Sequence, residues 1–187
     1  MNIDQIVLNF FVNHRVEWLS FVMLVITYSG SYMIVSSVAF LSAVSFYIHK
    51  HTSRIFPFLI AIAGSTITTY LLKHILERAR PAVEFMLYPE TGFSLPSGHA
   101  TGAMALYGFL FYIIWKHDKH YLKKPFMILL VALILLVGIS RLYLGVHYFS
   151  DVLVGYAVGF VWILIAIKIH KHILRFFGSL GSHKFKS

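Results

Sequence analysis

The sequence predicts an all-α fold: a polytopic transmembrane helical bundle of five spans, or six, led by an N-terminal interfacial helix. Three observations predict it. The 187 residues are 58% hydrophobic and 17% aromatic but only 12% charged, against about 25% charged in typical soluble domains. The apolar residues fall in runs close to the roughly 20 residues that a crossing needs. The basic residues sit in short segments between those runs, the distribution expected of cytoplasmic loops. That placement accounts for the net charge of +9 without nucleic acid as a partner; the expected partners are membrane lipids. Cysteine is absent, which excludes a disulfide framework and a thiolate metal site.

The chain reads as one membrane-embedded domain over 1–187. It divides into an interfacial segment (1–30), a bundle that carries the site (31–169) and a basic tail (170–187). Residues 1–17 mix Asp4, Arg15 and Glu17 with apolar residues, and no Lys, Arg, Asp or Glu occurs from Trp18 to Ile48. Asp4 precedes any apolar core and no basic run leads the chain, so no cleavable signal peptide is expected. The Ser29-Gly30-Ser31 triplet marks a break. Residues 4–28 are expected at the interface and 31–48 as span one; the alternative has 18–28 join a sixth, short crossing. After the basic turn 49–54, Pro57 opens span two (56–77). A long loop over 81–96 carries Pro81, Pro89, Gly92 and Pro96. Spans three, four and five follow at 98–115, 125–142 and 149–168.

Charge sorts the connections into two sides. Segments 49–54, 116–124 and 168–187 hold two, four and five of the 16 Lys and Arg, with Asp118 their one acid. These are expected in the cytoplasm. The N-terminus, 73–97 and 140–151 then share the outer face, together with Asp4, Glu17, Glu77, Glu84 and Glu90. The expected location is the plasma membrane of a bacterial cell, with the site outside and the C-terminus inside.

Three polar clusters fall on that outer face, each at the end of a span. Lys73 and Arg80 are seven residues apart, which is two turns and one helical face if the helix persists that far. Pro81 discourages it from doing so. Either cation alone also fits snorkelling to headgroups, and Glu77 with Arg78 reads as a solvated or local ion pair. Pro96-Ser97-Gly98-His99 opens an apolar helix. Ser97 suits an N-cap and Gly98 permits close backbone approach, while a helix N-terminus attracts anions. Plain capping, with His99 a satisfied interfacial histidine, is the alternative. In Ser140-Arg141…His147…Asp151, His147 and Asp151 lie at i and i+4, one turn apart on a helix. A carboxylate there sets an imidazole's tautomer and favours its cation; a structural ion pair between helices is the alternative.

Together the clusters offer three cations, a helix N-terminus, two histidines and a carboxylate. Cations and N–H groups stabilise phosphoryl oxygens, one histidine attacks, and the other protonates the leaving oxygen. That inventory suits phosphoryl transfer with no metal and no other cofactor. A metal phosphatase gathers several carboxylates, and the surrounding cations would repel a His-bound zinc.

These residues resemble the three signature motifs of the type 2 phosphatidic acid phosphatase superfamily: Lys-x6-Arg-Pro, Pro-Ser-Gly-His and Ser-Arg-x5-His-x3-Asp. All three are complete and in order between residues 73 and 151. The resemblance implies that His147 is the nucleophile forming a phosphohistidine, with Asp151 orienting its ring and His99 the general acid. It implies that Lys73, Arg80, Ser97, Gly98 and Arg141 bind the phosphoryl oxygens. It further implies a lipid phosphatase like the small bacterial membrane branch, which acts on undecaprenyl pyrophosphate, phosphatidylglycerophosphate and phosphatidic acid. Many relatives have six spans, and this chain departs from them at its N-terminus. The 82–95 loop, with Phe85, Tyr88 and Phe93, reads as an interfacial lid or as an anchoring aromatic belt. A module that only binds phosphorylated lipids, and an enzyme passing phosphate to a lipid alcohol, are the competing readings; the histidine pair argues against the first.

Overall fold

The structure is a computed structural model that describes residues 2–117 and 121–183, and within them every regular element is helical. Asp118 of the expected cytoplasmic turn, and Lys184 and Lys186 of the expected tail, lie outside the described residues. Seven α-helices follow one another: α1 (Ile3–Asn13), α2 (Glu17–Tyr28), α3 (Tyr32–Ile48), α4 (Ile55–Leu76), α5 (Gly98–His117), α6 (Lys123–Tyr143) and α7 (Phe149–His183). Short 3-10 turns at Thr52–Arg54 and Val83–Phe85 sit in the connections. Local chemistry sets several starts. Asn2 caps α1 by accepting from Gln5 N at 3.0 Å, and Ser31 caps α3 by accepting from Ile34 N at 3.3 Å. Pro57 and Pro125 stand in first turns, where a missing N–H leaves no gap in the ladder.

α5 is the central helix, packed against α3, α4, α6 and α7. Phe58, Leu106, Phe109, Ala103 and Val137 are fully buried around it. The outer faces are apolar instead: Ile67, Leu71 and Ile75 on α4, Ile128 and Leu135 on α6, Phe160 and Leu164 on α7 are exposed. Arg141, Asp151 and His147 lie inside. A surface of Leu, Ile and Phe around buried charges is the inversion expected when lipid is the solvent.

Among the described residues, three helical stretches are long and apolar enough to cross a membrane: Thr52–Leu76, Lys123–Tyr143 and Phe149–Phe176. α2 and α3 qualify together, as a pair bent by 45°. The bend falls at the Ser29–Ser31 break, where Tyr107 Oη donates to Ser29 O at 2.7 Å. Alone, the 17 residues of α3 extend about 25 Å, short of the roughly 30 Å hydrocarbon core. Residues 31–48 therefore meet the length of a crossing only together with α2. α5, the expected span three, has the length but a less apolar sequence, because its Gly, Ala, Thr and His residues face other helices.

Two boundaries differ from expectation. α4 stops at Leu76, with Glu77 in the left-handed region (φ 45°), so Lys73 and Arg80 do not share a helix face. α7 continues to His183, so most of the segment expected as a tail is helix.

Candidate active site

The site forms where the ends of α4, α6 and the starts of α5 and α7 meet. α6 ends at Tyr143, and Gly145 turns the chain with φ +73°. A Cβ there would lie 2.0 Å from Phe85 O and 2.5 Å from Arg15 Nη2, so only glycine lets the 82–95 loop lie against this turn. His147 follows in the turn, before α7 begins at Phe149. The expected helical i, i+4 pair is thus a turn residue facing the first turn of α7. The contact survives: His147 Nδ1 lies 3.4 Å from Asp151 Oδ2, and both side chains are almost fully buried.

The other ring nitrogen faces cations. Arg80 Nη1 approaches His147 Nε2 at 3.2 Å and also donates to Val146 O at 2.9 Å. A guanidinium has donors only, so Nε2 presents its lone pair to Arg80 and Nδ1–H points at Asp151. Burial disfavours the imidazolium, Arg141 and Arg80 disfavour it further, and His147 is held well below the ordinary imidazole range although Glu90 opposes. The ring is held neutral, with Nε2 on the cationic side.

Arg80 and Arg141 converge on one carboxylate. Glu90 Oε1 accepts from Arg80 Nη2 at 3.2 Å, and Oε2 accepts from Arg141 Nη2. Tyr88 Oη donates to the same Oε2 at 3.2 Å. Arg141 is completely buried; its Nη1 donates to Thr27 Oγ1 at 3.0 Å and to Tyr88 Oη. Burial alone would raise the Glu90 pKa, but Arg141 and Arg80 overcome it and hold the carboxyl below its usual range, with His147 and His99 adding in the same sense. Both histidines therefore face this carboxylate. His99 and Glu90 also line one cavity of about 370 Å³ together with Thr27, Tyr28 and Tyr88. On its other side His99 borders a second cavity of about 190 Å³ with Val35, Thr66, Thr69 and Gly98.

Ser97 does not cap α5 through its side chain. Its carbonyl accepts from Thr101, its N–H donates to Asp151 O at 3.0 Å, and among the described residues its buried hydroxyl finds no partner. Arg141 Nε is likewise unpartnered. These are two buried side-chain donors without acceptors among the described residues, an uncommon state for buried polar groups. Lys73 Nζ donates to Phe93 O and adds its charge around His147. A Cβ on Gly98 would meet nothing closer than Thr69 Cγ2 at 4.0 Å, so the space beside its Cα is open. Among the described residues no three His, Asp or Glu side chains are gathered as a metal would need.

Four residues outside the expected set belong to this site. Glu90 and Tyr88 fill the space between the arginines, so the 82–95 loop is folded onto the site rather than spread as a belt. Arg78 is not paired with Glu77: it bonds Asp151 Oδ1 at 2.7 Å and Asp4 Oδ2 at 2.7 Å. Its spacing to Asp151 carries no helical or turn signal, because the contact spans 73 residues. Glu90 is legible only as an acid lying between two cationic motifs.

Comparison with known proteins identifies relatives of this chain. The PAP2 superfamily profile matches residues 54–175. The chain is 31% identical over 166 residues to phosphatidylglycerophosphatase B of Bacillus subtilis, covering 87% of this chain and 80% of that protein. It superposes with TM-score 0.83 on the crystal structure of a transmembrane PAP2 type phosphatidylglycerolphosphate phosphatase from the same organism, at 30% identity over 91% of this chain and 85% of that one. The crystal structure of Aquifex aeolicus LpxE gives TM-score 0.73 over 90% and 96% of the two chains, and at 23% identity the likeness is one of fold.

Proposed function

The chain belongs to the PAP2 superfamily, and on that premise we propose that it is a membrane lipid phosphatase acting through a phosphohistidine. The observation that carries this reading is Glu90, a carboxylate held by Arg80 and Arg141 against the free nitrogen of His147. A pocket that chelates one oxyanion at a nucleophile, with Ser97 Oγ and Arg141 Nε still unpartnered, suits a tetrahedral phosphoryl group better than a planar carboxylate.

The substrate phosphoryl group displaces Glu90 and takes the donors of Arg80 and Arg141, with Lys73, Ser97 Oγ and the Gly98 N–H completing the cradle. Losing Arg80 to the phosphate frees the Nε2 lone pair of His147. Nε2 forms a bond to phosphorus as the bond to the leaving oxygen breaks, and His99 gives that oxygen a proton. Asp151 accepts from Nδ1–H and stabilises the charge that the ring gains. Water then attacks the phosphorus, returns its proton to His99 and releases orthophosphate with His147 regenerated. Cradle charges act on the spreading phosphoryl charge, which is where such reactions are accelerated.

The lipid portion fits the two cavities that meet at His99, both bounded by helices with apolar outer faces. The Tyr88–Glu90 loop is the lid over the headgroup. For the topology, the bent α2–α3 pair, α4, α5, α6 and α7 cross as five units, with α1 interfacial. The site lies on the extracytoplasmic face and the basic turns lie in the cytoplasm. The substrate class is a lipid monophosphate or polyprenyl diphosphate, of which phosphatidylglycerophosphate is the one named for the most similar relatives.

The test is phosphate release by purified protein in mixed micelles. Phosphatidylglycerophosphate, phosphatidic acid and undecaprenyl pyrophosphate are compared with chelator present and with His147→Ala alongside. At least one lipid should be hydrolysed with chelator present, and His147→Ala should lose turnover while staying folded. Turnover by His147→Ala at the wild-type rate removes the phosphohistidine route.

A further inference from the structure

The steps above make no use of α1. It is short, and Ile3, Ile6 and Phe10 are exposed on it, yet Asp4 is only 8% exposed. Asp4 Oδ1 accepts from Ser150 N at 2.9 Å; Oδ2 accepts from Ser150 Oγ at 2.7 Å and from Arg78 Nη2 at 2.7 Å. The other arm of Arg78, Nη1, donates to Asp151 Oδ1 at 2.7 Å and to Ser150 Oγ at 2.6 Å. Its guanidinium lies over the Tyr148 ring, 4.4 Å from the centroid. Carboxylate, guanidinium, carboxylate and imidazole thus run from the N-terminal helix to the nucleophile: Asp4, Arg78, Asp151, His147, in steps of 2.7, 2.7 and 3.4 Å.

This order has a physical consequence. A guanidinium is planar with donors on separate edges, so it bridges two carboxylates and fixes their relative orientation. With Oδ1 of Asp151 taken by Arg78, Oδ2 is left for His147 Nδ1 and for Tyr148 N at 2.8 Å. Arg78 alone would draw charge away from the imidazole's partner. Asp4 offsets that by engaging the opposite edge of the cation. On its outer side Arg78 holds Asp4 below the ordinary carboxylate range against the effect of burial, with Ser150 helping.

We infer that Asp4, acting through Arg78, is a positioning residue for the nucleophile, so that the docked N-terminal helix is part of the catalytic apparatus. The inference rests on the phosphohistidine reading above. The charged groups facing His147 directly are Arg141 from α6, Arg80 from the segment after α4, Glu90 from the loop and Lys73 from α4, with Asp151 from α7. Asp4 bonds none of the cradle residues, so its effect belongs on the ring and not on phosphate binding.

The experiment uses the full-length protein in mixed micelles with a lipid phosphate that the wild type hydrolyses. Asp4→Asn should lower kcat about tenfold, the low end for loss of an outer partner of a site residue. KM and inhibition by orthophosphate should stay as in the wild type. The acid limb of kcat/KM should move to lower pH, because Arg78 then acts unopposed on Asp151 and disfavours the imidazolium. Asp4→Glu should restore most of both. A folded Asp4→Asn with wild-type kcat and acid limb overturns the inference. So does a variant that loses thermal stability and activity without moving the limb and without rescue by Glu. Should Asp4→Asn fail to fold, Arg78→Lys decides, since an ammonium keeps the charge but cannot bridge both carboxylates; wild-type kcat and pH profile there also overturn it. His147→Ala in the same preparation separates the outcomes: if that variant turns over, the phosphohistidine reading has failed, whatever Asp4 does.

Discussion

Replacing Glu90 with Gln tests the claim that its carboxylate stands where phosphoryl oxygens go. Glu90 accepts from two buried arginines, with 23% of its own side chain exposed against 8% and 0% for Arg80 and Arg141. A hydrogen bond to a charged group contributes about 1.5–3 kcal/mol and a neutral one about 0.5–1.5 kcal/mol. Glutamine therefore weakens the hold of each arginine by about 1 kcal/mol, less some screening at the exposed rim. An incoming phosphate has that much less to displace. With tenfold in affinity for each 1.4 kcal/mol, orthophosphate should inhibit Glu90→Gln roughly tenfold more tightly. Without ligand the variant should be less stable, because Arg141 is left buried without a counter-charge. The assay is competitive inhibition by orthophosphate, read beside its effect on thermal unfolding. Phosphate should raise the variant's melting temperature by more than it raises the wild type's. Equal or weaker inhibition, with no larger thermal shift, refutes the displacement argument.

Two further outcomes follow from the geometry. His147 is depressed below 6.5, first by burial and then by Arg141 and Arg80, so the ring is active when neutral and lost as pH falls through its folded pKa. The acid limb of kcat/KM should lie below pH 6.5. Substrate phosphate ionises near pH 6 as well, but that is common to all variants. In Glu90→Gln the limb should move further to acid, because the carboxylate that favours the imidazolium is gone; movement toward neutral pH contradicts the assignment. Separately, Gly155→Ala would place a Cβ 2.7 Å from Ser97 O and 3.1 Å from Ala100 Cβ. Backbone cannot yield there as a side chain could, and overpacking costs about 1–3 kcal/mol. Thermal stability and kcat/KM should both drop; wild-type values for both contradict the packing of α5 on α7.

Much of the site is legible without coordinates because its parts are local. Ser97, Gly98 and His99 are adjacent, and His147 with Asp151 is a contact of sequence neighbours that holds whether the backbone is helix or turn. Lys73, Arg80 and Arg141 stand out as cations at the ends of apolar runs, where charge is a functional signal by default although one alone also fits snorkelling. The crossings of α4 and α6 are legible for the same reason, since hydropathy acts residue by residue. α5 is the instructive exception. Its small and polar residues are chosen for other helices, and a composition rule tuned to lipid undervalues it.

The sequence alone determined an all-helical membrane chain and the pairing of His147 with Asp151, and it singled out the residues proposed for phosphoryl chemistry. Only the tertiary structure decided what neutralises the cations and steadies the pair. Glu90 lies between Arg80 and Arg141, and Asp4 reaches Asp151 through Arg78, by contacts across 10 to 74 residues of chain. Hydropathy and helix periodicity are properties of neighbours along the chain. Which carboxylate compensates which guanidinium depends on how separate helices pack, and no spacing records it.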